Sequence, residues 1–119
     1  MSITTISAVT FAVTEMGPTL EFYEKIGFTR IFGGPDADFS TLQAGEAYVN
    51  LIHKPGYEGE WWGRTIFRVE NADIQYAAAR SAGFEIDPPR DAPWGERYFH
   101  ITDPDGHELS FAEITAGQS

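Results

Sequence analysis

The sequence predicts an α+β fold made of two β-α-β-β-β modules, and two observations lead to this prediction. A strand, a helix and a Gly-Phe pair recur along the chain, from Gly27-Phe28 to Gly83-Phe84, an offset of 56 residues. The strand segments alternate apolar and polar residues, which is typical of half-buried strands. Because one module cannot bury both faces of its sheet, we expect a curved eight-stranded mixed sheet. Its helices would cover the convex face, and its concave face would be open to a ligand.

The first module covers residues 1–54 and opens with the alternating strand Ser7–Thr14. Pro18 suits the first turn of the helix that follows, and Gly27 ends that helix. Three further strands complete the module, over Phe28–Phe32, Phe39–Leu42 and Ala47–His53.

Residues 55–63 form a predicted linker between the modules, and residues 116–119 a predicted tail. The linker combines a proline, glycines and mixed charge, a composition that favours a connection over a helix or strand. The chain is therefore expected to form one compact domain, with its modules paired within one chain or exchanged between two.

The second module covers residues 64–115 and repeats the order of the first. A strand over Arg64–Val69 is followed by a helix that Asn71 caps and Gly83 ends. A short strand over Phe84–Ile86 comes next. The small-residue stripe of the helix is predicted at Ile74, Ala77, Ala78 and Ser81.

The last predicted element is a β-hairpin around Asp103-Pro104-Asp105-Gly106. A turn centred on Pro104 and Asp105 would pair Phe99 with Ser110. That register puts Phe99 on the open face with Ser110, and His100 on the core face. A bulge at the turn would invert this assignment on one strand.

Composition excludes several classes of function. The net charge is −10, from 18 acidic and 8 basic residues, which disfavours nucleic acid and permits cationic ligands. The chain has no cysteine, so thiolate catalysis and cysteine-bound metals are excluded. No signal peptide or membrane-length apolar run is visible, so we expect a cytoplasmic protein without membrane partners. A chain of this size gains from a dimer interface, and we expect a homodimer.

The chain resembles the vicinal oxygen chelate superfamily, which includes glyoxalase I, extradiol dioxygenases, fosfomycin-inactivating enzymes and bleomycin-resistance proteins. The resemblance rests on Ser7-Ala8-Val9, on the helix from Leu20 to Phe28, and on Trp94-Gly95 before the Asp-Pro-Asp-Gly hairpin. It is closest to the bleomycin-resistance branch, and it covers nearly the whole chain.

Enzymes of this superfamily chelate a divalent metal through four strand positions. The resemblance places those positions at Ala8, Asn50, Arg64 and Ser110. Alanine has no donor atom, arginine cannot give up a lone pair, and the other two are poor ligands. We therefore predict no metal and no cofactor. An alternative metal site would use His100, His107 and Asp105 at the turn.

The predicted ligand-binding residues lie on strand faces or in aromatic loops. Arg64 and Arg68 share one face of their strand. They either anchor a carboxylate or phenolate of a ligand or form an internal ion pair with Glu108 or another acid. Trp94 matches a position at which, in the resistance proteins, groove aromatics hold the planar rings of the drug. Trp61 and Trp62 either stack on a planar ligand or pack between modules or chains. The full predicted set is Phe39, Tyr48, Asn50, Trp61, Arg64, Arg68, Trp94, Phe99, Glu108 and Ser110.

Three functions are compatible with these features. The leading one is metal-independent sequestration of a planar small molecule, cationic or zwitterionic, such as a bleomycin-type antibiotic. The second is a superfamily enzyme, a lyase, an isomerase or a dioxygenase-like member, that acts on a small metabolite. The third is a degenerate subunit that pairs with an active partner.

Overall fold

A computed structural model describes residues 5–59 and 63–115 of the chain. The chain divides into two compact units, Met1–Glu60 and Trp61–Ser119, and each contains a four-stranded mixed sheet with one helix. The first unit contains β1 (Ala8–Val13), α1 (Met16–Lys25), β2 (Thr29–Phe32), β3 (Phe39–Ala44) and β4 (Ala47–His53). The second contains β5 (Arg64–Arg68), α2 (Ala72–Ser81), β6 (Arg90–Ala92), β7 (Glu96–Thr102) and β8 (Glu108–Ile114). The predicted α+β class and β-α-β-β-β order are confirmed, while a single eight-stranded sheet stays a prediction.

The first sheet has the strand order β1-β4-β3-β2, with β1 and β4 parallel and the other pairs antiparallel. Alternation buries one face of it, including Phe11, Leu42 and Leu51. Tyr23 of α1 is fully buried, and its ring lies 6.3 Å from that of Phe11 and 5.3 Å from that of Phe28. The helix therefore covers this face, and the other face of the sheet is left open.

The second sheet has the order β5-β8-β7-β6 and a core of stacked aromatic rings. Phe111 on the central strand β8 stacks on Phe67 at 5.5 Å and on Phe99 at 5.3 Å. Tyr76 of α2 contacts the ring of Phe99 edge-on at 5.8 Å. This ring cluster fixes which face of the sheet α2 covers.

The hairpin register differs from the predicted one by a residue. The Asp103 N–H donates to the His107 carbonyl at 2.9 Å, and the Gly106 N–H donates to the Asp103 carbonyl at 3.0 Å. Gly106 has φ of 89°, so the loop has three residues and ends in the left-handed region. The prediction that Phe99 lies on the open face is therefore wrong. Phe99 pairs with Phe111, is only 3% exposed, and faces α2.

The strand predicted over Phe84–Ile86 does not form, and the corresponding strand is β6, which lies beyond Pro88-Pro89. Neither proline can donate a backbone hydrogen bond to a ladder, so pairing starts only after them.

The predicted stripe of α2 is also wrong. Ala72 and Ala79 are buried instead, and Ile74 is 69% exposed. Residues seven apart share a helix face, and the helix turns its alanine face to the sheet so that it approaches closely.

Arg97 on β7 ties the start of α2 to β6. Its guanidinium donates to Asp73 on α2 at 3.0 Å and to Asp91 on β6 at 3.1 Å. These hydrogen bonds raise the pKa of Arg97 further above its usual value, so the group stays charged. The double contact fixes α2 over the covered face.

In the part of the chain that is described, no helix is long and apolar enough to span a membrane.

The cap of α2 gives a prediction about stability. The Asn71 side chain accepts a hydrogen bond from the Ile74 N–H at 3.0 Å, as the sequence predicted. Asn71→Ala should lower the free energy of unfolding by about 1 kcal/mol, because a helix donor loses its partner. Asn71→Asp keeps the acceptor and should retain most of the stability. Urea unfolding monitored by circular dichroism measures both, and equal losses in the two variants would show that the cap is not the cause.

Candidate functional site

The open face of the second sheet is organised in rows set by strand register. Ser110 on β8 lies between Ile66 on β5 and His100 on β7. The two neighbouring rows both include charged side chains. One row contains Arg64, Glu108 and Thr102, and the other contains Arg68, Ala112, Tyr98 and Arg90.

A cavity of about 120 Å³ lies on this open face. Ser110 and Ala112 are small and buried, whereas Ile66 is 63% and Trp94 58% exposed. Large side chains thus surround small ones, which leaves a depression between them. The lining consists of Arg64, Ile66, Trp94, Glu96, Tyr98, His100, Ser110 and Ala112.

The Trp94 indole is exposed and also held in place. Its Nε1–H donates to the Glu96 carboxylate at 2.8 Å. The hydrogen bond restrains the ring before any ligand binds. A planar ligand that stacks on it therefore costs little additional side-chain conformational entropy.

Arg64 and Arg68 differ although they share a strand face. The Arg64 Nε–H and Nη2–H both donate to the same oxygen of Glu108, at 2.6 Å each. The internal ion pair considered from the sequence is therefore confirmed for Arg64. Within residues 5–59 and 63–115, Arg68 has no acidic group within 4.0 Å.

His100 is a site residue that the sequence-based assignment missed. Its Nδ1 lies 2.6 Å from the Ser110 hydroxyl, across the β7–β8 pair on the open face. Burial lowers the pKa of His100, and so do the positive charges of Arg64 and Arg90, while Glu108 raises it. The imidazole is therefore neutral at pH 7, with one nitrogen that donates and one that accepts. The sequence signal for this position was Gly106, which follows Pro104-Asp105. A glycine there favours a three-residue loop, and that loop puts His100 on the open face.

The first unit also brings its predicted site residues to one open face. Asn50 accepts a hydrogen bond from the Thr41 hydroxyl at 2.9 Å and donates to the Thr10 hydroxyl at 3.4 Å. Tyr48 and Phe39 lie on this same face by register, and both rings are partly exposed. Trp61 and Trp62 lie outside the described residues.

The residues at the superfamily's metal positions do not fit a metal. Ala8 has no donor atom. Asn50 is hydrogen-bonded to Thr41 and Thr10, Arg64 to Glu108, and Ser110 to His100. Within the described ranges, no group of three or more His, Asp or Glu residues could hold a metal ion.

The alternative site of His100, His107 and Asp105 is not assembled. His107 pairs with Asp103 next to the buried Leu109, whereas His100 faces the open side of the hairpin. The two histidines therefore point to opposite faces.

Residues 5–111 match the model of the Glyoxalase/Bleomycin resistance protein/Dioxygenase superfamily. The match covers most of the chain, so the protein belongs to this superfamily. A comparison with curated proteins gave no match.

Several solved structures share the fold. A bleomycin resistance determinant encoded on the transposon Tn5 is 24% identical, with a TM-score of 0.81 over 95% of this chain and 100% of that one. A bleomycin-binding protein from Streptomyces verticillus, complexed with copper(II)-bleomycin, is 19% identical, with a TM-score of 0.75 over 99% and 100%. Lactoylglutathione lyase from Agrobacterium tumefaciens is 14% identical, with a TM-score of 0.77 over 94% and 95%. The likeness therefore extends to both binding proteins and an enzyme.

The lowered pKa of His100 makes stability depend on pH. The folded state binds the proton less readily than the unfolded chain, whose histidine pKa is about 6.5. The free energy of unfolding should therefore fall as pH drops through about 6.5 and should be unaffected by His100 above it. His100→Gln should flatten this part of the stability curve in urea titrations between pH 5 and 8. Parallel curves for the two proteins, or an NMR-measured pKa of His100 at or above 6.5, would contradict the assignment.

Proposed function

We propose that this protein binds a planar small molecule, such as an antibiotic, and sequesters it without a metal and without chemical change. One observation carries the proposal. The open face of the second sheet holds a cavity of about 120 Å³ beside the exposed, hydrogen-bonded ring of Trp94. Concave sites with an exposed aromatic side chain and a few fixed polar groups are typical of small-molecule binding, and a cavity of this size would take part of a drug rather than all of it.

The aromatic side chains support a planar ligand. Trp94 and Tyr98 line the same cavity, and the Tyr98 ring lies 5.1 Å from that of His100. A stacked aromatic pair contributes about 0.5–1.5 kcal/mol beyond the area it buries. Two such contacts on restrained side chains are enough to select a flat ring over a flexible chain.

The donor chemistry supports binding without a metal. The positions that hold the metal in superfamily enzymes carry alanine, asparagine, arginine and serine here. Arg64 in particular puts a permanent positive charge, paired with Glu108, where a cation would have to lie.

Two of the similar solved structures are a bleomycin resistance determinant and a bleomycin-binding protein. At these identities the likeness concerns the fold, so an antibiotic as ligand is part of the proposal. The homodimer and the cytoplasmic location expected from the sequence remain predictions.

A second function is favoured by one contact, the 2.6 Å approach of His100 Nδ1 to the Ser110 hydroxyl inside the cavity. A neutral imidazole at this place can accept a proton from a bound molecule. A metal-independent lyase or isomerase would use it as a general base. Turnover of a small metabolite that His100→Gln abolishes would favour this alternative.

The binding proposal is tested with chelator-treated protein and a metal-free bleomycin-type drug. Tryptophan fluorescence should be quenched saturably, at about one drug per chain. Trp94→Ala should weaken binding about tenfold by calorimetry, since a central stacking residue is lost.

Ile74→Ala is the matched control, because Ile74 is also a largely exposed apolar residue, 69% against 58% for Trp94, but lies on α2, away from the cavity. It should bind as the wild type does. Binding that needs added metal, or an equal loss in both variants, would reject metal-free binding beside Trp94.

A further inference from the structure

We infer that the ligand is a planar aromatic anion and that Arg68 binds its carboxylate. The inference rests on the proposed function, since it names the ligand class of the same open face. Arg68 is not among the residues that line the cavity, but it pairs in register with Ala112, which is. It departs from the cationic ligand that the net charge alone permits.

Positive charge is concentrated on the open face of the second sheet. The chain has only 8 basic residues against 18 acidic ones, and strand register puts Arg64, Arg68 and Arg90 on this single face. Three of the 8 basic residues of an acidic chain thus share one face of one sheet, which gives an anionic ligand positive groups to contact.

The acidic groups of the same face are already engaged. Glu108 accepts two hydrogen bonds from Arg64, and Glu96 accepts the indole N–H of Trp94. Each carboxylate thus has a partner within the site. A cationic ligand would meet a Glu108 that is already paired with Arg64, and only the second oxygen of each carboxylate would be left for it.

Among the described residues, Arg68 is the arginine of this face that has no acidic partner. Arg64 is neutralised by Glu108, and Arg90 lies 3.9 Å from Asp87, a long contact between exposed groups. No acidic group of the described residues lies within 4.0 Å of Arg68, and Glu70, two residues further on, makes no ion pair with it. Its guanidinium can therefore take a carboxylate through two parallel N–H donors.

The row that contains Arg68 leaves room for a flat ligand. Arg68 pairs with Ala112, which pairs with Tyr98, which pairs with Arg90. Adjacent strands lie about 4.8 Å apart, so the Cα atoms of the two arginines are about 14 Å apart. Between them are the small Ala112 side chain and the Tyr98 ring. A ring system lying over Ala112 would have its acid beside Arg68 and its face near Tyr98 and Trp94.

The test uses three probes that differ only in charge: naphthalene-2-carboxylate, 2-naphthamide and 2-naphthylmethylammonium. Calorimetry on the whole chain should show the carboxylate binding about tenfold more tightly than the amide, with the ammonium weakest. Arg68→Gln should abolish this preference and leave the amide affinity unchanged. Arg80→Gln, which removes an exposed arginine on α2, should behave as the wild type.

The outcomes separate the inference from the proposed function. Equal affinities for the three probes, or tightest binding of the ammonium, would overturn the inference. If that binding still depended on Trp94, the proposed function would stand. The same loss in Arg68→Gln and Arg80→Gln would show general electrostatics and also overturn it. If no probe binds to folded protein, or if Trp94→Ala changes nothing, the proposed function fails and the inference with it.

Discussion

The left-handed conformation of Gly106 is the constraint on which the site depends. It adds a third residue to the last hairpin loop and sets the register in which Phe99 meets Phe111 and His100 meets Ser110. Side chains alternate along a strand, so a shift of one residue would exchange the two faces of β7. The ring cluster under α2 and the polar pair in the cavity are thus two results of one backbone conformation.

Most of the fold follows from patterns that a sequence shows directly. Alternation in β1 and β5, the cap at Asn71 and the repeated Gly-Phe pairs reflect local physics, and the structure confirms the elements that they predicted. The buried face of α2 could not be predicted from its pattern of apolar residues. Ile74 is strongly apolar but exposed, while Ala72 and Ala79, which face the sheet, are only weakly hydrophobic. Close approach between a helix and a sheet is a tertiary property.

The prediction of the candidate site was correct for the residues of β5 and β8 and wrong for those of β7. Arg64, Arg68, Glu108 and Ser110 share the open face as expected, since parity within each strand is fixed by its own alternation. Phe99 was misplaced and His100 missed because parity between strands depends on the loop length. Which of the two arginines would pair with Glu108 depends on side-chain reach, which strand parity does not describe.

The absence of the strand predicted over Phe84–Ile86 has a consequence for the edge of the second sheet. β6 pairs only with Glu96–Tyr98, so the backbone groups of His100 and Thr102 face a cavity of about 570 Å³ and find no ladder partner among the described residues. Their amide protons should exchange with solvent faster than those of Phe99 and Ile101, which point to β8. An open edge of this kind invites pairing with a strand from another chain. Pro88 and Pro89 precede β6 and have no N–H to extend a ladder, so the sequence limits uncontrolled association on the β6 side of this sheet.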